Sequence, residues 1–122
     1  MTDSLYTDIL LDLYRHPLNK TALSDFEAHH KEVNPLCGDE IEVFLKFDEN
    51  GRVTTVGWQG EGCAISQTSA SLITDFIKNK SKTEIQKITK EEVLNMLGLE
   101  KVNPTRMRCA LLAFECLKNY ES

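Results

Sequence analysis

The chain has 122 residues, 41% hydrophobic and 27% charged, and carries a net charge of −5 from 14 Lys+Arg against 19 Asp+Glu. That is the size and make-up of one globular domain over residues 1–122, and it excludes a disordered tail, a collagen-like chain or a linker. An acidic balance argues against nucleic acid as a partner, and no apolar run approaches the roughly 18 residues that span a bilayer. The opening segment lacks the basic stretch of a secretory signal, which predicts a cytoplasmic protein with no membrane association.

Leu5, Tyr6, Ile9, Leu10, Leu13 and Tyr14 recur at helical spacing behind the cap candidates Thr2, Asp3 and Ser4. They predict a helix over residues 4–14, ended by Pro17. Residues 15–36 show no clean period and read as a loop with one strand near Phe26–Val33. His16 then falls at the helix end, and His29 and His30 fall on solvated loop. Ile41, Val43, Leu45 and Phe47 alternate with Glu42 and Lys46, the pattern of a half-buried strand. Asp48-Glu49-Asn50-Gly51 is a hairpin connection, and residues 52–59 return as a strand with Thr54, Val56 and Trp58 on one face, Trp58 belonging to the core.

A helix over residues 64–78 follows, with Ile65, Ser69, Leu72, Ile73, Phe76 and Ile77 on one face. Its small residues Ser66, Ser69, Ala70 and Ser71 predict close packing of its first half. Residues 81–88 read as a charged, solvent-facing connector with one turn of helix. Thr89-Lys90-Glu91-Glu92 spells a capping box ahead of Val93, Leu94 and Leu97, a short helix stopped at Gly98. Asn103-Pro104 opens a last helix running to about Tyr120, with Met107, Ala110, Leu111, Phe114 and Leu117 on one stripe. Strands first and helices after, without internal repeats, place the chain in the α+β class.

Cys37, Cys63, Cys109 and Cys116 form no C-x-x-C pair, which excludes zinc-finger and thioredoxin-type motifs. In a reducing compartment they are thiols. Cys37 falls on a turn entering a strand, Cys63 follows Gly60 and Gly62 at a helix start, and Cys109 lies in the second turn of the last helix. Thiols at turns and helix starts are partly exposed and thiolate-prone, and thiolates bind zinc and iron–sulfur clusters. Asp39 would share a face with Cys37 in an extended segment, as an oxygen ligand or a proton acceptor. Cys116 lies two helical turns beyond Cys109, about 10 Å along the axis. Sulfurs on one ion sit within roughly 4 Å of each other, so Cys116 reads as a small buried core residue. Arg106 and Arg108 flank Cys109, either as surface charges or as counter-charges to a thiolate or persulfide. Spacing alone leaves Cys37, Cys63 and Cys109 open between core residues and ligands.

Three segments taken together resemble one family: Asn34-Pro35-Leu36-Cys37-Gly38-Asp39, then Gly60-Glu61-Gly62-Cys63-Ala64-Ile65-Ser66, then Arg106-Met107-Arg108-Cys109-Ala110-Leu111-Leu112. They are similar to the cysteine signatures of the IscU/SufU (NifU N-terminal) iron–sulfur cluster assembly scaffolds, over essentially the whole chain. The resemblance implies a SufE/NifU-like α+β fold, a small three-stranded antiparallel sheet with helices packed on one face. It implies that Cys37, Asp39, Cys63 and Cys109 gather at one exposed end. Cys37, Cys63 and Cys109 are then the ligands of a transient [2Fe–2S] cluster or of zinc, Asp39 is a zinc ligand and a labilising group for the cluster, and Cys109 is the sulfur acceptor. It implies a scaffold rather than an enzyme, with a cysteine desulfurase as sulfur donor and apo iron–sulfur proteins as acceptors.

Two branches compete within this resemblance. Arg108 stands where the IscU branch has histidine, and Val102-Asn103-Pro104-Thr105-Arg106 stands where that branch carries a Leu-Pro-Pro-Val-Lys chaperone motif, so a dedicated Hsp70-type chaperone is not carried over. The motifs are closer to SufU, which implies a zinc-dependent sulfurtransferase as the alternative. Yet only 45 residues separate Cys63 from Cys109, too few for the insertion of the SufU branch.

Overall fold

The computed structural model describes residues 2–35, 38–98 and 104–119. Helix α1 (Thr2–Arg15) leads through a loop to strand β1 (Ala28–Asn34), followed by β2 (Asp39–Phe47) and β3 (Val53–Glu61). The strands form an antiparallel meander in the order β1-β2-β3. Helices α2 (Ala64–Phe76), α3 (Lys82–Gln86), α4 (Lys90–Leu97), α5 (Pro104–Ala110) and α6 (Leu112–Asn119) complete the chain. The α+β class and the three-stranded antiparallel sheet expected from the sequence are both present.

The alternating pattern of β2 puts Ile41, Val43 and Leu45 into the core, with Val43 opposite Trp58 and Leu45 opposite Val56 on β3. Helices α2 and α6 lie against this sheet. Trp58 is fully buried, and its indole N–H donates to the Leu18 carbonyl at 2.8 Å. The Trp58 backbone N–H donates to the Asn19 carbonyl, so the loop after α1 covers the outer edge of β3.

Several local expectations change. Thr54 does not share the face of Val56 and Trp58: it is exposed, because Phe47 pairs with Val53 and Lys46 with Thr55, which leaves Thr54 as the extra residue of a bulge. His29 and His30 lie within β1 rather than on loop, where strand pairing with Phe44 and Val43 holds them. The last helix is interrupted at Leu111, where the Ser69 hydroxyl bonds the Ala110 carbonyl; a side chain entering the helical ladder is a recognised cause of such breaks. Tyr120 lies outside the described residues.

Helix α2 is the central strut. Ser66, Thr68, Ser69, Ser71 and Thr74 on it are fully buried, which small side chains permit without driving neighbours apart. Each is bonded: Ser66 to the Asp39 carboxylate, Thr68 to the Leu10 carbonyl, Ser69 to the Ala110 carbonyl, Ser71 to the Leu18 N–H and Thr74 to the Asn19 amide. The expected capping box at Thr89 is formed with Glu92, and Gly98 closes α4 at φ 69°. A second box, Ser81 with Glu84, starts α3 in the connector, whose Ile85 and Ile88 are buried rather than solvent-facing. Among the described residues, no helix is long and apolar enough to cross a membrane.

Cys116 belongs to the core, fully buried, with its thiol donating to the Ile41 carbonyl at 3.2 Å. Burial, before all other causes, pushes its pKa from 9.0 up to about 12. Between those values the folded chain keeps a proton that the unfolded chain loses, so this part of the stability is complete below pH 9 and declines as pH rises toward 12. The decline approaches ~1.4 kcal/mol per pH unit. Cys116→Ser is expected to cost about 1 kcal/mol at neutral pH and to flatten this dependence, since serine does not titrate there. Urea unfolding of both proteins at neutral and alkaline pH measures it; parallel curves would exclude the contribution of Cys116.

Candidate metal centre

The site is assembled where β2 begins and α2 begins. Asp39 is the first residue of β2, opposite Asn34 across the ladder, and only 7% exposed. The backbone before it is a turn: Gly38 takes φ 78°, a left-handed conformation that glycine adopts without steric cost, and its N–H donates to the Asn34 carbonyl at 2.8 Å. Cys37 itself lies outside the described residues, as does the side chain of Arg106.

Cys63 is the N-cap residue of α2, exposed, and its own side chain makes no capping bond. The cap is supplied from β2. Asp39 Oδ2 accepts from the Cys63 N–H and from the Ser66 hydroxyl, both at 3.1 Å. A carboxylate here meets unsatisfied amide hydrogens and the positive end of the helix dipole. Gly62 makes the approach possible, since a Cβ there would sit 2.4 Å from Ser66 Oγ and 2.8 Å from Asp39 Cγ. Gly62→Ala is accordingly expected to cost about 2 kcal/mol by overpacking and to push Asp39 off the helix end. Thermal unfolding beside metal titration checks this, and wild-type behaviour in both would show that the contact yields freely.

Cys109, on α5, is buried at 5% exposure, not partly exposed as a helix-start thiol is expected to be. Its sulfur accepts from the Asn34 side-chain amide at 3.8 Å. Asp39, Cys63 and Cys109 each place a donor atom within 4.8 Å of the other two. Among the described residues this is the one such group of three or more His, Cys, Asp or Glu side chains. Cys116 is apart from it, bonded to Ile41 in the core. His29 lies 3.6 Å from Glu42, and His30 bonds Glu32; neither joins the group. Arg108 is exposed and lines a cleft of about 250 Å³ with Glu32, Asn34, Leu111 and Glu115.

Two thiols and a carboxylate at this spacing repel one another when all are ionised, and a cation among them relieves that repulsion. The sulfur-rich donor set suits zinc or iron rather than calcium or magnesium, so these residues fit both metals that the sequence implies. Asn34 and Ser66 were not singled out as site residues by sequence reasoning. The signal for each was its place at the end of a cysteine motif, Asn34 opening the first and Ser66 closing the second.

A small meander backed by helices, with two thiols and a carboxylate gathered at one corner, defines a class of α+β domains with a candidate metal centre at that corner. The NifU-like N terminal domain model matches residues 5–120, and the chain belongs to that family. It is 30% identical over 132 residues to the zinc-dependent sulfurtransferase SufU of Bacillus subtilis, covering 95% of this chain and 88% of that protein. It is 27% identical over 119 residues to the iron-sulfur cluster assembly scaffold protein IscU of Escherichia coli, covering 93% and 88%. The crystal structure of the SUF-system protein FiSufU from Fervidobacterium islandicum superposes with a TM-score of 0.75 at 23% identity, covering 90% of this chain and 91% of that one, a likeness of fold.

Proposed function

We propose that this protein is a scaffold on which iron–sulfur clusters are assembled and from which they pass to apo-proteins. The observation that carries this reading is the approach of Asp39, Cys63 and Cys109 to within 4.8 Å at one corner, with Cys63 exposed. The matched family and the scaffolds among its relatives agree with it. In this reading Cys37 joins the same ligand set, the whole chain acts as one scaffold domain, and the cluster is cargo. Three thiolates and a carboxylate hold iron less tightly than a full set of thiolates, which favours release.

Sulfur enters as a persulfide from a cysteine desulfurase. The Cys109 thiolate attacks the terminal sulfur of the donor persulfide, a new S–S bond forms on Cys109, the donor's S–S bond breaks, and the donor cysteine leaves as thiolate. No net electrons are needed for this transfer. Iron is then bound by Cys37, Cys63, Cys109 and Asp39.

A second reading is a zinc-dependent sulfurtransferase, favoured by the identity to the Bacillus subtilis protein over nearly the full length of both chains. Asp39, Cys63 and Cys109, with Cys37, would hold the zinc, which when bound keeps the thiols deprotonated. Anaerobic purification, metal analysis and an absorption spectrum separate the two. Iron with sulfide-to-iron charge-transfer bands after reconstitution supports the scaffold; stoichiometric zinc with persulfide turnover and no stable cluster supports the sulfurtransferase. A protein that retains neither metal overturns both.

A further inference from the structure

Asn34 touches the site from three directions. Its backbone pairs with Asp39 across the β1–β2 ladder, and its carbonyl accepts from the N–H of Gly38, the residue before Asp39, at 2.8 Å. Its side-chain amide donates to Cys109 Sγ at 3.8 Å, within sulfur hydrogen-bond range, with both residues buried. One residue at the end of one strand therefore links Asp39 and the Cys109 sulfur. Cys109 lies 75 positions from Asn34, and β1 otherwise carries no site residue.

We infer that Asn34 is a positioning residue for the metal or cluster sulfur: its amide fixes Cys109 Sγ against the Asp39–Cys63 pair and withdraws electron density from that sulfur through an N–H···S hydrogen bond. The inference rests on the reading of Asp39, Cys63 and Cys109 as a metal-binding group. A thiolate has no proton to give, so a donor aimed at it is retained when a metal binds. Polar groups that orient first ligands typically govern metal affinity by about ten-fold or more. The same donor lowers the energy of the sulfur lone pair, which raises the energy of sulfur-to-metal charge transfer.

Cobalt(II) is a spectroscopic probe for this site. Titrate the apo-protein anaerobically with Co(II) and follow the sulfur-to-cobalt band, comparing wild type with Asn34→Leu, a near-isostere without the donor, and Asn34→Ala. Both variants are expected to lose about ten-fold in Co(II) affinity and to move the band to longer wavelength. Ser71→Ala is the control for a buried polar loss on α2 remote from the sulfurs, and it should leave band and affinity unchanged. A folded Asn34 variant with wild-type band position and affinity overturns the role of Asn34 while leaving the site reading intact. A wild-type protein with no sulfur-to-cobalt band overturns both. Should one Asn34 variant fail to fold, the other decides; if neither folds, Asn34 is a folding residue and the role is rejected.

Discussion

Cys109→Ser is expected to abolish both sulfur acceptance from a cysteine desulfurase and retention of a reconstituted cluster. Serine cannot form a persulfide, and its hydroxyl is a poor ligand for zinc or iron at neutral pH. The structure sharpens this expectation. Cys109 is 5% exposed, and Cys63 beside it is exposed. A donor persulfide therefore reaches Cys109 only if the short helix α5 shifts, and its break from α6 at Leu111 gives it an independent end. Trapping the protein with an alkylating agent early in the desulfurase reaction, then mapping the extra sulfur by peptide mass, should find it first on Cys109. Early label on Cys63 would move the acceptor role to the exposed thiol. Label on Cys116 would contradict the fully buried position of that residue. Cys116→Ser should leave sulfur acceptance largely intact.

Asp39 is expected to show two separable effects. Asp39→Ala should lengthen the life of a reconstituted cluster and slow its transfer to an apo-ferredoxin, because the carboxylate is the poorest partner for iron–sulfur chemistry in the set. It should also lower stability, because Asp39 Oδ2 accepts from Cys63 N–H and Ser66 Oγ at the start of α2. Removing that cap costs about 2 kcal/mol, a fall in Tm of roughly 8 °C for a domain of this size. Asp39→Asn keeps a carbonyl oxygen for the cap while removing the charge, so it should recover much of the stability and keep the altered cluster lifetime. Cluster decay followed by absorption, beside thermal unfolding, tests both. Equal lifetimes in wild type and both variants would reject the labilising role and leave Asp39 a helix cap alone.

Much of the fold is legible in the residues because it depends on local chemistry. Ile41, Val43 and Leu45 announce a half-buried strand by alternation alone. Gly51, Thr89 with Glu92, and Gly98 mark a hairpin, a helix start and a helix stop through backbone and capping preferences that act over a few positions. The small residues of α2 announce close packing for the same reason. The cysteine motifs likewise point to a family and to four candidate site residues, without saying how those residues meet.

The features set by packing involve partners distant in the chain. The bulge at Thr54 depends on the register of β2 against β3, and the break at Leu111 on a hydroxyl from Ser69, 41 positions away from Ala110. The burial of Cys109 follows from α5 lying against α2 and from Asn34, 75 positions back, bonding its sulfur. Asp39 caps α2 from 24 positions before Cys63, a double use that no local pattern reveals. Secondary-structure signals decay within a turn or two of chain, whereas a site for one ion requires side chains from several elements to converge within a few ångströms. That convergence is a property of the packed fold.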